Sequence, residues 1–161
     1  MWSMLFTATS LVGSGVQAGA LIMFLVGICP TLRSLTVEEW LPIHVSLDKS
    51  IDRYMPPLNI TTAATTLILV FLPQDPATRV LRIAALLCNI SLGVISEAVN
   101  VPINKLVART VPALVGGPAE VSHGVDMVAA RERWIRWHAF RTAVITAGFL
   151  LYTIAAMIEL R

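Results

Sequence analysis

Apolar positions gather into four long runs, and polar residues gather between them. The runs extend from about Trp2 to Cys29, Leu58 to Leu72, Val80 to Val101 and Phe140 to Ile158. A bilayer-spanning helix needs roughly 20 residues, within a range of about 17–25. The second run is short, so its helix is predicted to begin near Tyr54, with Pro56 and Pro57 in the first turn. Proline is tolerated there because its missing N–H would have had no partner. Thr61, Thr62, Thr65 and Thr66 within it can bond back to preceding carbonyls and remain compatible with a helix. The fourth run continues Trp134-Ile-Arg-Trp-His-Ala-Phe-Arg-Thr142 without a break. In lipid, backbone polar groups must be satisfied internally, which leaves helices for runs this long. The pattern predicts an all-α, integral membrane four-helix bundle, a single domain over 1–161 with helices at about 2–29, 55–72, 80–101 and 134–158.

The first long loop carries a pattern of its own. Thr36-Val-Glu-Glu39 has threonine first and glutamate three later, a capping box opening a helix. A helix from Val37 to about Arg53 aligns Trp40, Ile43, Leu47, Ile51 and Tyr54 in one stripe, which fits an interfacial helix. His44 falls beside that stripe, directed inward. The later loop, Val111 to Val125, holds Pro112, Gly116, Gly117, Pro118 and Gly124, and is predicted to be irregular. His123 within it is expected to be solvated.

The first run lacks the basic leader and small-residue cleavage pattern of a signal peptide, and is expected to be retained. Gly13, Gly15, Gly19 and Gly27, with Ala18 and Ala20, let another helix approach closely, in the same bundle or in a homo-oligomer.

Composition strengthens the membrane reading. Hydrophobic residues make up 56% of the chain and charged residues 14%, with a mean hydropathy of +0.74. Soluble domains carry about 25% charged residues. A net charge of +2 with basic residues in loops and at helix ends gives no nucleic-acid surface. Lysine and arginine are concentrated in the two long loops: Arg33, Lys49 and Arg53, then Lys105, Arg109, Arg131, Arg133 and Arg136. The positive-inside rule puts those loops in the cytoplasm and both termini on the opposite side, with Arg79 and Arg82 near the tight Pro73–Thr78 turn. Cys29 and Cys88 fall at different depths and read as small buried residues, not a bridge.

Candidate chemistry lies where ionisable groups enter apolar runs, because such groups are costly in lipid without partners. In the third helix, Gly93, Glu97, Asn100 and Asn104 share a face, and Pro102 between the asparagines is expected to kink it. In the fourth, Trp134, His138 and Arg141 share a face, with Trp137 beside them. The two helices run antiparallel, which sets Glu97 and Arg141 at similar depth. The predicted arrangement is a Glu97–Arg141 ion pair with His138 and Asn100 beside it, in a polar pocket between helices three and four. A buried pair of this kind serves packing equally well. Trp134 and Trp137 also suit an aromatic belt at the membrane boundary.

Gln17-Ala-Gly-Ala20 leading to Cys29-Pro-Thr-Leu32, then Val99-Asn-Val-Pro-Ile-Asn104, then Trp134 through Thr142 with its apolar tail, together resemble the anthrone oxygenase family of small four-helix membrane proteins. The Asn-x-Pro-x-Asn and Trp-x-x-x-Arg elements are its most specific parts. The resemblance implies oxidation of an anthrone-type tricyclic phenol to an anthraquinone with O2 as co-substrate, with a hydrophobic aromatic small molecule as partner. The chemistry needs a base, donors for a developing oxyanion, and aromatic walls. His138 or Glu97 is the candidate base, with His138 preferred if Glu97 pairs with Arg141. Arg141, Asn100 and Asn104 are candidates for stabilising the oxyanion, and Trp134, Trp137 and His44 for binding substrate. No cofactor is required, because the deprotonated anthrone can react with O2 directly. A copper or iron variant through His44, His138 and Glu97 has no local motif behind it. The rival reading is a non-catalytic membrane protein that binds or moves a hydrophobic ligand, or an accessory subunit.

Overall fold

The computed structural model describes residues 2–114 and 126–159. Helix α1 (Trp2–Met23) passes through a five-residue π turn (Phe24–Ile28) into α2 (Cys29–Ser34). Then follow α3 (Val37–Ile51), α4 (Met55–Phe71) and α5 (Pro76–Ile95). A second π turn (Ser96–Asn100) leads from α5 into α6 (Val101–Leu114), and α7 (Met127–Glu159) completes the chain. Four helical stretches are long and apolar enough to cross a membrane, and they make this a multi-pass integral membrane protein. His123 and most of the predicted irregular loop lie outside the described residues; Val111–Leu114 is the last turn of α6.

The membrane bundle consists of α1, α4, α5 and the C-terminal part of α7. α7 packs against α5 and α1, and α1 against α4. Its outer surface is apolar and exposed, from Val12, Val16 and Met23 on α1 to Ile60, Leu67 and Phe71 on α4 and Val80, Leu87 and Val94 on α5. At one end, the Asp75 carboxylate caps α5 by accepting from the N–H groups of Ala77 and Thr78. Arg82, expected near the turn, is instead buried there and donates to Thr7, Gln74 and the Glu159 carboxylate. Polar side chains continue inward: Thr66 bonds Ser10 and Tyr152, and Gln17 bonds Thr62 and Asn59. Satisfied by one another, these groups hold the helices in register inside lipid.

At the other end the helices run on past their apolar stretches. The predicted first, third and fourth helices all prove longer than their apolar runs, as the polar residues beyond each run stay helical. The Thr36–Glu39 capping box forms, the Glu39 amide donating to Thr36 Oγ1 and the Thr36 amide to the Glu39 carboxylate. α3 packs on α6 above the bundle. Trp40, Leu47 and Ile51 of the predicted stripe face the protein, joined by Leu41 and His44, whereas Ile43 and Tyr54 are exposed. The reason is that α3 packs on protein, not on a flat membrane surface: Trp40 and Leu41 join Leu32, Ile103, Val107 and Ile135 in one core.

Both π turns have the same local cause. Each is followed by a Cys-Pro or Val-Pro pair, Cys29-Pro30 and Val101-Pro102. A proline ring collides with the carbonyl four residues earlier and offers it no N–H. The chain responds by widening the turn just before: the Cys29 N–H donates to the Phe24 carbonyl and the Val101 N–H to that of Ser96. The kink expected at Pro102 is therefore a π turn, and the helix continues to Leu114. Such turns commonly sit at functional sites.

Candidate functional site

A cavity of about 490 Å³ opens at the junction of the apolar bundle and the α3–α6 layer. Its walls are mostly apolar, including Leu21, Phe24, Ile28, Ile51, Met55 and Leu92, with polar groups gathered at one side. It is wider than a pocket between the third and fourth predicted helices, because α1, α3 and α4 also line it. Exposed Met23 and Ile60 stand at its rim.

Asn104 organises the polar side. Trp134 Nε1 can only donate, and it does so to Asn104 Oδ1 at 2.8 Å. That fixes the amide orientation and leaves Asn104 Nδ2 to donate to the Asp48 carboxylate. His44 Nε2 lies 3.0 Å from the same Oδ1, so it must carry its proton and donate. Three residues from two helices, His44 and Asp48 on α3 and Trp134 on α7, thus converge on one amide of α6.

A second group forms around Arg141. Its Nη2 and Nε approach His138 Nδ1 at 2.9 and 3.3 Å, and its Nη1 donates to Ser96 Oγ at 3.0 Å. The guanidinium also lies over the Trp134 ring, 5.6 Å from the centroid. His138 Nε2 is 3.2 Å from the Leu21 carbonyl. A nitrogen facing a guanidinium must accept and one facing a carbonyl must donate, so His138 is held neutral with its proton on Nε2. The imidazole stacks on Trp134 with planes 7° apart and centroids at 5.1 Å, and Phe24 from the first π turn packs against it. His44 meets Trp134 edge-on. The aromatic walls are thus Phe24, Trp134 and two histidines.

The predicted Glu97–Arg141 ion pair does not form. Glu97 lies at the exposed rim of the cavity, and among the described residues the ion pairs within 4.0 Å are Arg33–Glu132 and Arg82–Glu159. The widened turn at Ser96–Asn100 changes the register, turning Ser96 toward Arg141 and Asn100 inward while Glu97 rotates out. Asn100 is 1% exposed, its Nδ2 donates to the Trp134 carbonyl at 3.3 Å, and its Oδ1 has no partner among the described residues. Trp137 is turned away from the cavity, edge-on to Phe140 and beside Arg133 and Arg136 on the outer surface. His44, His138 and Glu97 do not converge, and among the described residues no three metal-binding side chains do.

Asp48 also belongs to the site, although the sequence pattern does not single it out. Its carboxyl faces the cavity half-buried. α3 lies outside the apolar belt, and there burial pushes this carboxyl up to about 6; Asp52 acts in the same direction, Arg141 and Asn104 against it. Burial likewise lowers the neighbouring His44, opposed by its bond to Asn104. The available signal was its position, one helical turn beyond His44 on α3.

The family model for anthrone oxygenase matches residues 44–151, most of the chain. The chain belongs to the anthrone oxygenase family. The matched span runs from His44 to beyond Arg141 and so takes in both polar groups of the cavity, whereas α1 and its π turn lie before it. No curated protein and no solved structure matches the chain at a significant level.

Proposed function

We propose that this anthrone oxygenase family member is a membrane-embedded oxygenase that converts an anthrone-type tricyclic phenol to an anthraquinone with O2. The observation that carries the reading is a cavity of about 490 Å³ in which Arg141 has no carboxylate partner among the described residues. Small-molecule sites typically measure ~300–1,000 Å³, with mostly apolar walls and a few placed polar groups. An anthrone has a CH2 between two aromatic rings, opposite a ketone. Loss of one proton sends charge to the ketone oxygen, and the electron-rich anion reacts with O2 to give the quinone and water. Arg141, held by His138 and Ser96, stabilises that oxygen as charge develops. Phe24 and Trp134 accept the flat rings. His138 acts as the orienting group for Arg141, since both its nitrogens are engaged. The substrate enters from lipid past Met23 and Ile60.

The test is purified protein with emodin anthrone under air, following quinone absorbance against a boiled control. Arg141→Ala is expected to lower kcat by about 10²-fold or more, as for loss of one oxyanion donor, with Arg141→Lys recovering part. Tight ligand binding without turnover would favour the binding-protein reading instead.

The cavity end faces the cytoplasm on this reading, supported by the lysine and arginine residues of its loops. A cysteine placed at exposed Lys105 should then resist an impermeant maleimide added to intact cells; labelling from outside would reverse the orientation.

A further inference from the structure

Arg141 and Asp48 line the same cavity, yet they are not joined as an ion pair. Opposite charges in a half-apolar cavity attract strongly unless something holds them apart. Here both are held: Asp48 by Asn104 Nδ2 from α6, Arg141 by His138 and Ser96. The result is a fixed pair of opposite charges on the wall of one cavity. It fits a ligand that brings an oxygen to the guanidinium and an acidic hydrogen to the carboxylate. The other basic candidates are poorly placed. His138 Nδ1 already accepts from Arg141, and Glu97 lies at the exposed rim.

We propose that Asp48 is the base that removes the substrate's acidic C–H proton, with Arg141 receiving the charge at the far end of the same molecule. The proposal rests on the oxygenase reading above. Asp48 takes the proton, and the C–H electron pair moves through the ring to the ketone oxygen on Arg141. The carbanion carbon then bonds to O2, and Asp48 returns its proton to the terminal peroxide oxygen. Asp48 next removes the second C–H hydrogen. That electron pair forms the new carbonyl as the O–O bond breaks, and the departing hydroxide takes the proton to leave as water. One carboxylate serves both abstractions and ends as it began, and O2 is the only oxidant consumed.

The experiment uses full-length protein in lipid nanodiscs with emodin anthrone and its analogue deuterated at the CH2. Asp48→Asn, which is isosteric, should lower turnover by about 10²-fold or more. Binding of the anthraquinone product should stay within about 3-fold of wild type, since only a transition-state interaction is lost. Asp48→Glu should restore part of the rate. Wild-type kcat/KM should rise with pH through one ionisation and show a deuterium isotope effect. The charged or titratable groups facing Asp48 are His44 and Asp52 on α3, His138 and Arg141 on α7, and Glu97 at the rim. The ionisation should therefore survive in His44→Gln, Asp52→Asn and Glu97→Gln.

Asp48→Asn turning over at the wild-type rate overturns the assignment. So does joint loss of turnover and product binding without rescue by glutamate. Should Asp48→Asn fail to fold, a wild-type profile flat from about pH 5 to 8 overturns it equally. A wild type no faster than the boiled control sinks the oxygenase reading itself, which is a different result from a dead Asp48 variant beside an active parent.

Discussion

Asn104 shows how one amide can carry a site. Its oxygen accepts hydrogen bonds from His44 and Trp134 and its nitrogen donates to Asp48, so no other residue type of that size could replace it. Asn104→Ala should strand buried donors on Trp134 and His44 and cost about 1–3 kcal/mol for each one left unmet. Thermal unfolding in detergent measures that loss, and an unchanged midpoint would mean the hub is not structural. Asn104 and Asn100 stood out in the sequence because amides interrupt an apolar helix. Asp48 did not, because an acidic residue in an amphipathic loop helix reads as solvated until packing covers it. Glu97 misled for the opposite reason: a helix-period count assigned it inward, and the widened turn moved it to the rim.

Helices meet through small residues and bend at prolines. A Cβ added at Gly13 would overlap Thr62 Oγ1, which receives a hydrogen bond from Gln17, whereas one at Gly19 would meet nothing within 4 Å among the described residues. Gly13→Ala should therefore destabilise by about 1–3 kcal/mol, in the range for overpacking, and Gly19→Ala should not. Equal midpoints in detergent melts would show that α1 and α4 do not approach this closely. The two glycines are indistinguishable in the sequence, since each lies in the same apolar run. Only the partner helix separates them. Pro102 was legible as a kink, but its form was not, and Pro30 was not singled out. Whether a helix breaks or widens depends on whether the next segment has something to pack on, and α2 and α6 both do.

Across the whole molecule, two polar ends bracket an apolar middle. At the end opposite the cavity, Arg82 is 3% exposed and relies on Glu159 at 2.6 Å, Gln74 and Thr7. Glu159→Gln should remove about 1.5–3 kcal/mol, the worth of a hydrogen bond to a charged group. The cavity's ligand affinity should be unaffected because the two ends are far apart along α7. Coupled losses would tie the ends together. The sequence by itself determined the class, the four spans, the capped helix over them and the polar face carrying Asn100, Asn104, Trp134, His138 and Arg141. Those follow from local rules: apolar length against bilayer thickness, and side-chain spacing along a helix. Tertiary structure alone decided which charges meet. It parted Glu97 from Arg141 through the widened turn at Ser96–Asn100, and by helix packing sent Trp137 outward and brought Asp48 to the cavity. Which way each then faces depends on contacts from α1, α3 and α4, helices distant along the chain.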